Sequence, residues 1–164
     1  MQGGVGRVGT WFAHDLFGVQ PDLVTLAKSL GGGYPVGSVA IAGHVAEGIE
    51  PSELGTTFGG GPLACRMIAT VARVIREQHL MARVQSTFQV LADSISDLQG
   101  VQIRGAGALV GVQTPVPAKD VQARLLEQGI MVGTSNQAHT IRLLYPYVLS
   151  QKDAACFGPA LAEA

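Results

Sequence analysis

Lysine, cysteine and aromatic side chains are all scarce in this 164-residue chain: it has three lysines, two cysteines and 5% aromatic residues. Charged residues make up 14%, and the formal net charge is −1. A balance this close to neutral leaves no basic footprint, so nucleic acid is not an expected partner. Cys65 and Cys156 are too few for a disulfide framework and lack metal-ligand spacing. Reduced thiols in a cytoplasmic protein are the simplest expectation. His14, His44, His79 and His139 are scattered, so no metal site is expected either. No apolar run approaches the length of a membrane span, and no basic stretch followed by an apolar one opens the chain.

What the chain does have is 47% hydrophobic residues, enough for a sizeable core, and 22 glycines, many of them before residue 62. Residues 10–17 form a short amphipathic stretch, 23–26 a strand and 36–42 a second strand of small and β-branched residues. Pro62 suits the first turn of a helix, and Leu63, Met67, Val71, Val74 and Ile75 continue at helical period to about residue 78. Leu80, Val84, Phe88, Leu91 and Ile95 make one stripe of a helix over 80–98. Strands are then expected at 101–104, 108–113, 130–132 and 140–144, and a helix at 118–128 closed by Gly129. A terminal helix is expected at 152–162, although Pro159 sits inside it.

Lys28 is the most telling residue. It closes the apolar run Leu23-Val24-Thr25-Leu26-Ala27, and three glycines follow at 31–33. A lysine held at the end of a buried strand is partly desolvated, which favours the neutral, nucleophilic amine. Such an amine can condense with an aldehyde cofactor. The alternative is a lysine that snorkels from a strand end into solvent. Other patterns lead nowhere. Gly4-Val-Gly-Arg-Val-Gly9 fits G-x-G-x-x-G, but no strand precedes it and no acidic residue lies at the needed distance for a dinucleotide. Asp15 and Glu53 show no pairing for acid–base work.

Five segments decide between these readings: 3–14, 21–39 with its AKSLGGG core, 55–65 beginning Gly-Thr-Thr-Phe-Gly-Gly, 104–111 (RGAGALVG) and 141–146 (IRLLYP). In order and spacing they resemble the class III aminotransferases, which use pyridoxal 5′-phosphate (PLP). Within that family the chain looks most like the acetylornithine and acetylated or carrier-linked lysine aminotransferases. The resemblance implies an α/β fold of the PLP-dependent transferase fold type I. Residues 1–75 would be the C-terminal part of the PLP-binding large domain, and residues 76–164 the small C-terminal α/β domain.

The resemblance also implies roles. Lys28 matches the family's Schiff-base lysine, which afterwards moves the proton between substrate and cofactor. Gln2 matches a glutamine near the cofactor's ring hydroxyl and favours a transaminase over related aminomutases. Thr57 matches the threonine that reaches across a homodimer interface to the partner's cofactor phosphate; Thr56 is a weaker candidate. Arg142 matches the arginine that binds the substrate carboxylate through two parallel bonds. Arg7, although inside a matched segment, reads as structural. The expected partners are an amino-acid substrate and 2-oxoglutarate, in arginine or lysine biosynthesis. Ornithine or 4-aminobutyrate transamination is the alternative chemistry. Gly3 and Val8 stand where the family usually has threonines, and Gly61 where it has asparagine. The aspartate that would protonate the cofactor ring is not among these residues. The chain is less than half a complete family member, so the expectation is a C-terminal part inactive by itself, or a non-catalytic folding or oligomerisation module.

Overall fold

A computed structural model describes residues 2–164. A loop at 2–12 leads into a 3₁₀ turn, Ala13–Phe17, which ends at the left-handed Gly18. β1 (Leu23–Ala27) and β2 (Gly37–Ile41) pair antiparallel, Leu23 opposite Ile41, around a second 3₁₀ turn at Lys28–Gly31. A short α1 (Gly43–Ala46) and an exposed loop follow. Pro62 occupies the first turn of α2 (Pro62–Glu77), where its missing N–H removes no bond. His79, left-handed, turns the chain into α3 (Leu80–Ile95).

β3 (Gln102–Ala106) and β4 (Leu109–Gln113) form a hairpin. α4 (Ala118–Glu127) ends as expected at Gly129, whose φ of +81° permits an N–H bond back to the Leu126 carbonyl. β5 (Gly133–Thr134) and β6 (Thr140–Leu143) complete a four-stranded antiparallel sheet in the order β3-β4-β6-β5. Ser150 then caps α5 (Gln151–Ala155) by accepting the Asp153 N–H, and α6 (Phe157–Ala162) follows.

Three expected elements differ. The strand placed at 130–132 lies instead at Gly133–Thr134, because Val132 packs inward just before pairing begins. The single terminal helix is broken at Cys156 into α5 and α6, three residues before Pro159. β1 has no fully buried residue, so the buried strand expected before Lys28 is a half-exposed hairpin strand.

The main core lies between one face of the four-stranded sheet and α3, α4, α5 and α6. Val110, Val112, Ile141 and Leu143 alternate inward from β4 and β6, which is the period-2 signature of a sheet covered on one side. The α3 stripe is buried at Leu80, Val84, Leu91 and Ile95, with Phe88 partly covered and Thr87, unexpected, buried as well. Gly158 allows α6 to lie on α3, since a Cβ there would clash with the Ser94 carbonyl. A second, smaller cluster of Val5, Leu30, Ile75 and Leu80 joins the N-terminal loop, the Lys28 turn, α2 and the start of α3. Among the described residues, no helix is long and apolar enough to cross a membrane.

Candidate active site

Lys28 is the first residue of the 3₁₀ turn that leaves β1, and its φ is +58°. A left-handed backbone at a residue with a Cβ costs on the order of 1 kcal/mol and persists only where the surroundings impose it. They do so here. Leu30 and Gly31 are buried in the turn, a Cβ on Gly31 would reach 2.8 Å from Val36 Cγ2, and one on Gly32 would reach 2.8 Å from Val71 Cγ2. Glycine lets the chain press against α2 and against Val36, just before β2, while Lys28 takes up the turn. The Lys28 side chain is exposed, and among the described residues it has no hydrogen-bond or ion-pair partner. The desolvation expected of a lysine at the end of a buried strand is therefore absent, and the side chain stands in the open on a left-handed backbone.

Thr57 lies in the exposed loop between α1 and α2, ahead of Gly59, Gly60 and Gly61, and Gln2 is exposed near the start of the chain. Neither side chain has a hydrogen-bond partner among the described residues. Arg142 lies mid-strand in β6, on the sheet face opposite the main core. It borders a cavity of ≈ 400 Å³ between that face and the N-terminal loop, walled by Val8, Leu16 and Phe17. It also borders a second, ≈ 490 Å³ cavity beside Met131, Tyr145 and Phe157. Lys28, Gln2 and Thr57 border neither. Of the four expected site residues, Arg142 is the one that borders these two cavities.

Arg7 is structural, as its setting in the sequence suggests. Its guanidinium donates to the Tyr145 carbonyl at 2.6 Å and lies 4.6 Å from the centre of the Tyr147 ring. Its own carbonyl accepts from the Ala108 N–H at 2.8 Å. The Tyr147 hydroxyl donates to the Val5 carbonyl, and the Tyr145 hydroxyl donates to that of Gly107 at 2.9 Å. Burial pushes the Tyr145 phenol up to about 12, with nearby Arg7 opposing the rise, so the phenol remains a donor. These bonds clamp the glycine loop at 3–9 onto the β3–β4 turn and the segment after β6.

Sequence reasoning missed two features: the clamp tyrosines and Arg104. Arg104 borders the same cavity as Arg142. Its position follows from strand register, which a single sequence does not display. Gly105 and Gly107, both at positive φ, were the visible sign of a tight approach there.

Comparison with known proteins places this geometry. The family description "Aminotransferase class-III" matches residues 1–164. Acetylornithine aminotransferase 1 of Bordetella bronchiseptica is 36% identical over 94% of this chain and 40% of its own length. The acetylornithine aminotransferase of Methanosarcina acetivorans is 36% identical over 93% of the chain and 38% of its own length. The crystal structure of acetylornithine aminotransferase from Elizabethkingia anophelis superimposes with a TM-score of 0.87 at 27% identity, over 99% of this chain and 43% of that one. The expected α/β fold of the PLP-dependent aminotransferases is thus present, and the chain spans about two fifths of the length of these relatives. The chain belongs to the class-III aminotransferases, a family of PLP-dependent enzymes.

Proposed function

We propose that this chain is the C-terminal part of a transaminase that moves an amino group from an N-acylated or carrier-linked diamino acid to 2-oxoglutarate. Acetylornithine or acetyl-lysine is the donor type, and arginine or lysine biosynthesis the setting. One observation carries the reading: Lys28 is an exposed amine without a partner among the described residues, on a left-handed backbone between a strand and a glycine turn. The relatives' acetylornithine names support the donor class.

The donor set fits PLP. Lys28 offers a free amine, and Thr57 offers an exposed hydroxyl beside glycines whose backbone N–H groups suit an anionic oxygen. Bound PLP supplies a ring that draws electrons from the substrate carbon. Lys28 would hold the cofactor through its amine and would serve as the base at that carbon. Gln2 would face the cofactor's ring hydroxyl, and Thr57 would hold the phosphate of the cofactor bound to a neighbouring subunit of a cytoplasmic homodimer. Arg142 orients the substrate by two parallel bonds to its carboxylate. Residues 1–75 belong to the large cofactor domain and 76–164 to the small one. The two hydrophobic clusters support that division, with Leu80 of the second cluster just beyond the boundary.

In this reading the 164-residue chain is inactive alone. A chimera joining it to the upstream part of the Bordetella bronchiseptica relative should bind PLP and transaminate acetylornithine with 2-oxoglutarate, while the chain alone binds PLP weakly and turns nothing over. A folded chimera without turnover would refute the transaminase reading. Glutamate-dependent turnover by the chain alone would refute the inactivity. A second reading, a non-catalytic folding or dimerisation module, is favoured by the concentration of the main core beyond residue 90, and that dead but folded chimera would support it.

A further inference from the structure

We infer that Arg104 is a second carboxylate anchor, which with Arg142 lets the open face of the sheet distinguish a linear dicarboxylate from a monocarboxylate. The inference rests on reading Arg142 as a carboxylate clamp and adds a specificity-determining residue to it.

Register puts the two arginines in one row. Arg104 of β3 is opposite Gly111 of β4, and Gly111 is opposite Arg142 of β6. Residues opposite one another in an antiparallel ladder project to the same face, and that face is the one turned away from Val110, Val112, Ile141 and Leu143. Strands lie about 4.8 Å apart, so two ladder steps separate the arginine Cα atoms by roughly 9.6 Å. Between them Gly111 has no side chain, and a Cβ there would come within 3.3 Å of Thr140 Cγ2. The result is a bare glycine between two arginines of one row, with the Arg142 Nε lying beside Gly133 of β5.

The surroundings suit a dianion. Val8, Leu16 and Phe17 wall the ≈ 400 Å³ cavity, and among the described residues no aspartate or glutamate borders it. Apolar walls exclude water and strengthen a charge–charge contact inside. Both guanidiniums are also uncommitted. Arg7, Arg73, Arg83 and Arg124 each reach a backbone carbonyl or a carboxylate. Among the described residues Arg142 has no side-chain partner, and Arg104 has only Gln102 Oε1, at a marginal 3.5 Å. From one row on either side of a glycine, each of the two arginines can swing to take one carboxylate of a four- or five-carbon diacid bidentately.

The test is a titration of the 164-residue chain, followed through the NMR signals of the arginine Nε–H groups. Glutarate is compared with pentanoate, which has the same carbon count and one carboxylate. Glutarate should move the signals of both Arg104 and Arg142, pentanoate that of Arg142 alone, with glutarate binding about tenfold tighter, as one extra charge-assisted pair implies. Arg104→Gln should erase most of that preference and Arg104→Lys retain part of it, with melting curves confirming that both variants fold. If glutarate moves Arg142 but not Arg104, or if the preference survives Arg104→Gln, the Arg104 anchor is wrong and the clamp reading stands. If neither acid moves Arg142, the clamp reading fails, and the anchor with it.

Discussion

Leu125, Ile141 and Val112 are completely closed off beneath the four-stranded sheet, whereas Phe58, Phe17 and Leu54 of the first 61 residues are 91%, 78% and 69% exposed. The later region surrounds its own core: two layers, a sheet and four helices, cover each other's apolar faces. The earlier region holds Lys28, the glycine turns and the Thr57 loop, yet among the described residues its β1–β2 hairpin has no further strand on either side. Exposed apolar surface and unpaired strand edges of this kind are features that a protein normally covers with more chain or a partner. In the later region Met131, 87% exposed beside the second cavity, and Leu126, 60% exposed, also stand open. Under the proposed function the later region would supply a frame and the carboxylate-binding arginine, and the earlier one the amine, on a surface with less cover of its own. The clamp of Arg7, Tyr145 and Tyr147 holds the two together.

The sharpest way to break this comparison is Lys28→Ala in the chimera. It should abolish transamination and the visible absorbance of bound cofactor while leaving the melting temperature nearly unchanged, because the side chain is exposed. Turnover near the parent rate would remove chemistry from the earlier region altogether.

Stability should divide the other way. Leu125→Ala removes a fully buried side chain and should cost about 2–5 kcal/mol by urea unfolding. Leu23→Ala, on the half-exposed hairpin, should cost under about 1 kcal/mol in the same assay. Equal costs would mean that the hairpin is as well packed as the sheet.

Arg142→Ala should lower kcat/KM for the amino donor on the order of 10²-fold, the loss expected of a charge-assisted carboxylate contact worth ~1.5–3 kcal/mol. An unchanged value for both donor and 2-oxoglutarate would make this arginine part of the frame only.

The smallest effect concerns the clamp. The Tyr145 phenol is raised from 10.0 to about 12 in the folded chain, so folding favours its protonated form. That contribution is fully present below pH 10 and is lost as pH rises toward 12, because the unfolded chain ionises first. Tyr145→Phe should therefore be less stable than the parent at neutral pH, for want of the bond to Gly107, and should lose less stability between those two values. Parallel alkaline profiles for parent and variant would show that the phenol does not report on the clamp.

Much of the frame was legible because periodicity survives wherever one face is buried. The α3 stripe, the β4 alternation and the Pro62 and Gly129 boundaries all follow from spacing and backbone chemistry. Local pattern failed where tertiary contact decides. Ile130 to Val132 looks like a strand, but Val132 belongs to the core and pairing starts one residue later. Leu23 to Ala27 looks like a buried strand, yet burial depends on what lies alongside, which composition does not state. For the site, Lys28 and Arg142 could be singled out through the motifs around them. Arg104 could not, because only the register through Gly111 places it beside Arg142.

Three lysines make the central claim directly measurable. The PLP-loaded chimera is reduced with borohydride, which fixes the cofactor wherever an amine has condensed with it, and the peptides are weighed. Within these 164 residues the cofactor should be found on Lys28 at close to one per chain, with Lys119 and Lys152 unlabelled. Labelling spread evenly over the three, or confined to Lys119 or Lys152, would contradict the assignment of Lys28 as the cofactor's lysine.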